Sequence, residues 1–158
     1  MPSEKKGWEL PGNARTAFKG EISAKIKVLC VDDNAFLLYL TRILLENEDD
    51  RFVVETATST ADALHKMAGE AFDAVVCDFI MPEMDGLEFL EQLRSKGNTI
   101  PFIMLTGDNR EDIAARAKNL GVKHFIEKST NLKSHFNGLT QAIISEIERN
   151  GTVLAPKL

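Results

Sequence analysis

The sequence predicts an α/β protein: a doubly wound, five-stranded parallel sheet carrying five helices. Three observations lead to it. Short apolar runs recur five times between Lys25 and Arg149. Each is followed by apolar residues at the three- and four-residue steps of an amphipathic helix. The runs are continuous rather than alternating, as expected of strands buried on both faces. Strands separated by single helices run parallel, because each crossover returns the chain to the same end of the sheet.

Taken in order, Lys27-Val28-Leu29-Cys30-Val31 is the first strand. Asn34 caps a helix whose apolar face is Phe36, Leu40, Ile43 and Leu44. Phe52 to Ala57 is the second strand, and Ala61, Leu64, Met67 and Ala68 line the second helix, which Gly69 ends. Ala74-Val75-Val76-Cys77 is the third strand. Asp85 is placed to cap the third helix, with Pro82 and Gly86 as loop and helix-start residues. Leu87, Leu90 and Leu93 stripe that helix, Phe89 widens the face, and Gly97 stops it. Ile100 to Leu105 is the fourth strand. Ile113, Ala117 and Leu120 mark a fourth helix closed by Gly121, Val122 to Ile126 is the fifth strand, and Phe136, Leu139, Ile143 and Ile147 stripe the last helix.

The chain has 158 residues, 44% apolar and 27% charged, which is ordinary globular composition. That length suits one domain with short appendages. Residues 1–24 read as a flexible leader or linker, since Pro2, Gly7, Pro11, Gly12 and Gly20 interrupt any apolar period. Trp8 and Phe18 are its candidates for docking on the domain or a partner. The domain is expected at 25–149 and a tail at 150–158. A net charge of −5 argues against direct nucleic-acid binding, which needs clustered Lys and Arg. No apolar run approaches the ~18 residues of a membrane span, and no secretion signal opens the chain, so a soluble, cytoplasmic protein is expected. Cys30 and Cys77 lie inside apolar runs and read as small buried residues rather than a disulfide. His65, His124 and His135 share no ligand spacing and read as surface or edge histidines.

Ligands in such sheets sit beyond the C-terminal ends of the strands. The first strand ends in Asp32-Asp33, the third in Asp78, the fourth in Thr106 and the fifth in Lys128. Singly, each Asp reads as a turn former or cap, the Thr as a capping hydroxyl and the Lys as a solvated charge. At one edge of one sheet they read as a site. If the first and third strands are neighbours, three carboxylates converge there. Two unit charges ~4 Å apart repel by about 4 kcal/mol at an effective dielectric near 20. A hard divalent cation relieves this, and oxygen-only ligation by few protein groups favours Mg²⁺. Such a site suits a phosphoryl group. Asp78 can act as nucleophile and form an aspartyl phosphate, while Lys128 offsets charge. Thr106 can donate to an oxygen that exists only after phosphorylation.

Four segments carry a family likeness: Val28-Leu29-Cys30-Val31-Asp32-Asp33, Asp78-Phe79-Ile80-Met81-Pro82-Glu83-Met84-Asp85-Gly86, Pro101-Phe102-Ile103-Met104-Leu105-Thr106 and Phe125-Ile126-Glu127-Lys128. In this order and spacing they resemble the receiver domain of two-component response regulators, over about Lys25 to Arg149. The resemblance implies a flavodoxin-like sheet of order 2-1-3-4-5. It implies that Asp78 takes a phosphoryl group from a histidine kinase or histidine phosphotransfer protein. Asp33, Asp78 and the backbone carbonyl of Ile80 are implied as Mg²⁺ ligands, with Asp32 acting largely through water. Thr106 and Lys128 are implied as the hydroxyl and ammonium contacts, and Phe125 as the switch aromatic. The state is implied to be read on the face of helix four, strand five and helix five, by an output partner of unknown identity or a second copy in a homodimer.

Three positions depart from the family pattern. Ser129 stands where a proline with a cis bond is usual; a non-proline cis bond costs ~3 kcal/mol, so a trans bond and a differently shaped fifth loop are expected. Ile80 is apolar where many members are polar, which should shield an acyl phosphate from water. Asp108 adds an acid at the rim. Two other function classes stand beside the switch. An Mg²⁺-dependent phosphatase with an aspartate nucleophile needs a second acid near Asp78, where Phe79-Ile80-Met81 follow instead. A flavin-binding module needs a hydroxyl- and glycine-rich loop where Asp32-Asp33 stand. A degenerate receiver that takes no phosphate is the third alternative, although every acidic, hydroxyl and ammonium position is intact.

Overall fold

The computed structural model describes residues 22–23, 25–107 and 110–154. Its main sheet holds β1 (Ile26–Val31), β2 (Phe52–Ala57), β3 (Ala74–Asp78), β4 (Phe102–Thr106) and β5 (His124–Glu127). Between and after them run α1 (Ala35–Glu48), α2 (Thr60–Gly69), α3 (Gly86–Ser95), α4 (Glu111–Asn119) and α5 (Leu132–Arg149). The order is β2-β1-β3-β4-β5 with every pairing parallel, as expected.

Side chains alternate across this sheet into two apolar layers. Leu29, Val75, Cys77, Phe102 and Met104 pack with Ala63 of α2, Phe89, Leu90 and Leu93 of α3, and Ile113 and Ala117 of α4. Val28, Cys30, Val76, Ile103 and Leu105 pack with Leu38 and Leu45 of α1 and Leu139, Ile143 and Ile147 of α5. All five residues of β3 and of β4 are buried, which is why these strands read as unbroken apolar runs. Cys30 and Cys77 are free and belong to opposite layers, and burial pushes the Cys30 thiol up to about 12.

Local chemistry sets the ends of the elements. Asn34 accepts from the Leu37 N–H and Asp85 from the Glu88 N–H, so both expected caps are in place. Gly97 and Gly121 close α3 and α4 with φ of 78° and 90°, the left-handed geometry that glycine adopts without a Cβ clash. β4 starts at Phe102 rather than Ile100, since Pro101 has no N–H for a ladder. β5 starts at His124 rather than Val122, because the Val122 N–H bonds back to Ala117 O at 3.0 Å and so closes α4.

Two helices face the sheet differently from the expected stripes. On α1 the buried residues are Leu38 and Leu45, whereas Phe36 is 71% and Ile43 42% exposed. Apolar residues lie on nearly every side of α1, so its spacing admits several faces and packing on the sheet selects among them. On α2, Ala61 and Ala68 are exposed, while Thr60 and Ala63 are buried with Leu64 and Met67 packed at their margin. Leu64 and Met67 stay against the core as expected, and their bulk, not the small Ala61 and Ala68, sets the buried side.

His65 is exposed as expected, and His124 sits on the edge strand with its Nδ1 2.9 Å from Oε1 of the buried Glu146. His135 is instead half-buried, its ring edge-on to Phe136 at 5.0 Å between centroids; burial, then the Lys128 charge, lowers its pKa. Where the leader and tail enter the described residues, Ile22–Ser23 and Val153–Leu154 pair as two-residue parallel strands. Leu154 packs on the α1–α5 side of the core. Trp8 and Phe18 lie outside the described residues.

The inward face of α1 is open to a direct test by chemical denaturation. Leu38→Ala is expected to cost about 2–5 kcal/mol of unfolding free energy. Phe36→Ala, on the outward side, is expected to stay within about 0.5 kcal/mol of the parent. Equal losses would mean that the helix is rotated.

Candidate functional site

The site is built by peptide ladders that continue past the ends of the strands. The Asp32 N–H donates to Ala57 O at 3.1 Å, and the Phe79 N–H to Leu105 O at 2.8 Å. The Lys128 N–H donates to Thr106 O at 2.7 Å. Thus the backbones next to three strand ends are tied to their neighbours. Asp78 is the last residue of β3 and pairs with Leu105; Thr106 is the last of β4 and pairs with Glu127. The order of the sheet therefore brings four strand ends onto one edge.

Asp32, Asp33 and Asp78 each place a carboxylate oxygen within 4.8 Å of the others. Asp32 and Asp78 are buried and Asp33 is exposed, so the cluster opens to solvent on one side. One Asp32 oxygen accepts from the Asn34 N–H at 2.9 Å, which fixes that carboxylate against the first turn of α1. Lys128 reaches across the sheet edge and sets its Nζ 3.2 Å from Oδ2 of Asp32 and 3.2 Å from Oδ2 of Asp78. There is no cis peptide bond among the described residues, so Ser129 follows Lys128 through the expected trans bond, and the ammonium reaches both acids.

The charges shift one another in ways that follow from burial. Burial first, and then the Asp32 charge, raises the Asp78 carboxyl above its ordinary value, against the pull of Lys128. Burial presses the Lys128 ammonium down, but Asp32 and Asp78 together outweigh it and hold the group above its usual value. With all three acids ionised, one ammonium leaves two negative charges on the cluster. The donor set is all oxygen, with neither His nor Cys in it. That chemistry fits a hard divalent ion such as Mg²⁺, whose charge matches the remainder and which keeps waters beside a few carboxylates.

The other expected residues take the following places. Thr106 is 1% exposed, one position beyond the residue that pairs with Asp78. Ile80 is 60% exposed, two residues from Asp78, and its backbone hydrogen bond helps hold the Asp78 carboxylate ionised. Phe125 of β5 pairs with Met104 of β4 and is partly buried against the layer beneath α2, α3 and α4. Asp108 lies outside the described residues. Two contributions escape the sequence reading. The Asn34 N–H bond to Asp32 is a backbone bond, which no residue type announces. Gly86 reads as a helix-start residue, yet a Cβ there would lie 2.5 Å from the carbonyl oxygen of Asp78. A glycine directly after a cap residue, where glycine is a poor helix former, was the available signal.

Known proteins supply the comparison. The family model for the response regulator receiver domain matches residues 28–139. A protein-glutamate methylesterase/protein-glutamine glutaminase of Halalkalibacterium halodurans is 38% identical over 109 residues, covering 68% of this chain and 31% of that protein. A second protein of that name, from Cupriavidus metallidurans, is 34% identical over 128 residues, 79% of this chain and 36% of its own. The chain thus spans about a third of the length of these curated relatives. Among solved structures, a receiver domain protein from Clostridium thermocellum superimposes with a TM-score of 0.69 at 28% identity, covering 78% of this chain and 95% of that one. A CheY-like receiver domain protein from Methanospirillum hungatei JF-1 gives 0.68 at 26% identity, covering 79% and 98%. The family match runs from β1 into α5 and takes in every strand end described above, so the chain belongs to the response regulator receiver domain family.

Proposed function

We propose that this receiver accepts a phosphoryl group on Asp78 from the phosphohistidine of a histidine kinase or histidine phosphotransfer protein. The phosphorylated state is then read on the α4–β5–α5 surface by an output partner. One observation carries the reading: a buried carboxylate at a strand end, inside an acid cluster, with an ammonium 3.2 Å away.

In this reading an Asp78 oxygen attacks phosphorus and forms an O–P bond. The P–N bond to the donor imidazole breaks, and its electron pair stays on the ring nitrogen. Ionised Asp78 is the competent form, and the Lys128 ammonium favours it. Lys128 also meets charge on the transferred group, and preorganised charge of this kind is the main source of catalysis in phosphoryl transfer. Asp33, Asp78 and the Ile80 carbonyl would hold Mg²⁺, with Asp32 acting through water. When bound, the ion supplies neutralisation of the cluster and of the phosphoryl oxygens. The Thr106 hydroxyl then donates to a phosphoryl oxygen, and Phe125 follows by repacking alone, since a phenyl ring has no polar tip.

The domain in this reading catalyses only its own phosphorylation and dephosphorylation. The methylesterase and glutaminase activities in the relatives' names belong to proteins of which this chain covers about a third. A cytoplasmic location goes with the proposal. Among the described residues no helix is long and apolar enough to cross a membrane.

Incubation with Mg²⁺ and a small phosphodonor such as acetyl phosphate or phosphoramidate, followed by intact mass, tests the acceptor. The parent is expected to gain one phosphoryl group and Asp78→Asn none; a gain that persists in the variant removes Asp78 from the role. Dephosphorylation tests the apolar neighbour. In this reading Ile80, two residues after the acceptor and 60% exposed, keeps water from the acyl phosphate. Ile80→Asn is expected to lose the phosphoryl group severalfold faster than the parent in a timed decay, and an unchanged decay contradicts that role.

A further inference from the structure

Gly86 opens α3, and its placement has no conformational reason. The glycines with positive φ among the described residues are Gly97, Gly121 and Gly151. Gly86 is not one of them, so an alanine there would be the better helix former. What it lacks is room. A Cβ on Gly86 would stand 2.5 Å from the carbonyl oxygen of Asp78, 3.0 Å from Cα of Phe79 and 3.2 Å from the carbonyl carbon of Asp78. All three are backbone atoms, and none can swing aside as a side-chain tip would. The Gly86 N–H donates to Phe79 O at 2.8 Å, and the Phe79 N–H donates to Leu105 O at 2.8 Å. Asp85 fixes the same turn by capping the Glu88 N–H at 2.8 Å.

We infer that Gly86 is a positioning residue for the acceptor: its bare Cα lets the first turn of α3 seat on the Asp78–Phe79 peptide. That contact holds the Asp78 carboxylate and the Ile80 backbone in register with Asp32 and Asp33. The inference rests on the proposed phosphoryl acceptance and deepens it. The peptide after the acceptor is gripped from two sides, by the Leu105 carbonyl of β4 and by the Gly86 turn of α3. A methyl group at residue 86 must push one of them away. Glycines at the far ends of their helices make no such contact; Gly97 has nothing within 4 Å of its hypothetical Cβ.

The test uses the intact chain and compares Gly86→Ala with Gly97→Ala. The second strains the other end of the same helix, at φ 78°, without approaching Asp78. Mg²⁺ affinity is read by calorimetry without any phosphodonor, phosphorylation rate by intact mass, and folding by circular dichroism and melting. Gly86→Ala is expected to weaken Mg²⁺ binding at least about tenfold, the scale of a lost support behind a metal ligand, and to slow phosphorylation alongside. Gly97→Ala is expected to melt earlier and keep the parent's affinity. Parent-like affinity and rate in Gly86→Ala, however low its melting point, overturn the inference, as does an equal loss in Gly97→Ala. Should Gly86→Ala not fold, Asp85→Ala uncaps the same turn, while Asp85→Asn removes the same charge and keeps the cap. Weaker Mg²⁺ binding in Asp85→Ala than in Asp85→Asn supports the positioning role, and equal binding overturns it. A parent that binds no Mg²⁺ and gains no phosphoryl group is a separate outcome, and removes the functional reading itself.

Discussion

Repulsion among Asp32, Asp33 and Asp78 is the constraint around which the top of this sheet is organised. Three carboxylates with oxygens within 4.8 Å of one another are tolerable only if something opposes their charge. Lys128 does part of this from just beyond β5, bridging two of the three at 3.2 Å. The Asn34 N–H does another part by binding Asp32 at 2.9 Å. Neither removes the whole charge. The protein thus keeps a pocket with two buried acids and one exposed one, whose unbalanced charge faces solvent. The all-oxygen chemistry of such a pocket suits a dication.

What keeps the acids together is the rest of the fold. Each carboxylate sits at or just beyond a strand whose residues are buried on both sides, so the backbones cannot part without opening an apolar layer. β1 is an interior strand, paired with β2 on one side and β3 on the other, and it delivers Asp32 and Asp33 between them. β3 delivers Asp78 beside it, and β4 carries Thr106 beside β3. Lys128 comes from beyond β5, two strands away from β3, and its long side chain covers that distance. The sheet order is therefore part of the electrostatics. In this order the ammonium spans Asp32 and Asp78 together.

Much of this was readable from residue types. Continuous runs such as Ala74-Val75-Val76-Cys77 gave buried strands because β3 has no wet face, and the caps Asn34 and Asp85 announced themselves by their side chains. The acids, Thr106 and Lys128 could be grouped because a parallel sheet puts all strand ends of one sense on one edge. The face of α1 could not be read. Phe36, Leu37, Leu38, Leu40, Ile43, Leu44 and Leu45 surround that helix, so periodicity carries no single direction and only the shape of the sheet selects Leu38 and Leu45. His135 looked like a surface residue because its own side chain says nothing of the ring it meets edge-on. The slot filled by Gly86 was hidden for a similar reason. Glycine serves turns, caps and close approaches alike; its place directly after the Asp85 cap hints at the third use, and only coordinates show what it approaches.

The arrangement also bears on how a change at the acceptor can leave the site. Thr106 is almost wholly buried and paired with Glu127, which stands between Phe125 and Lys128 on one edge segment. Phe125 is only partly buried, on the layer shared with α4. A hydroxyl drawn toward Asp78 vacates volume next to β5 in a close-packed interior, and such volume is refilled by whichever neighbour is least confined. An edge strand with one pairing partner and a partly buried ring is less confined than Met104 or Leu105, which are buried in β4. In the proposed reading the Phe125 ring therefore moves inward, and β5 carries the change to the surface. In that reading the edge position of β5, with one pairing partner, is what lets it report the state of Asp78.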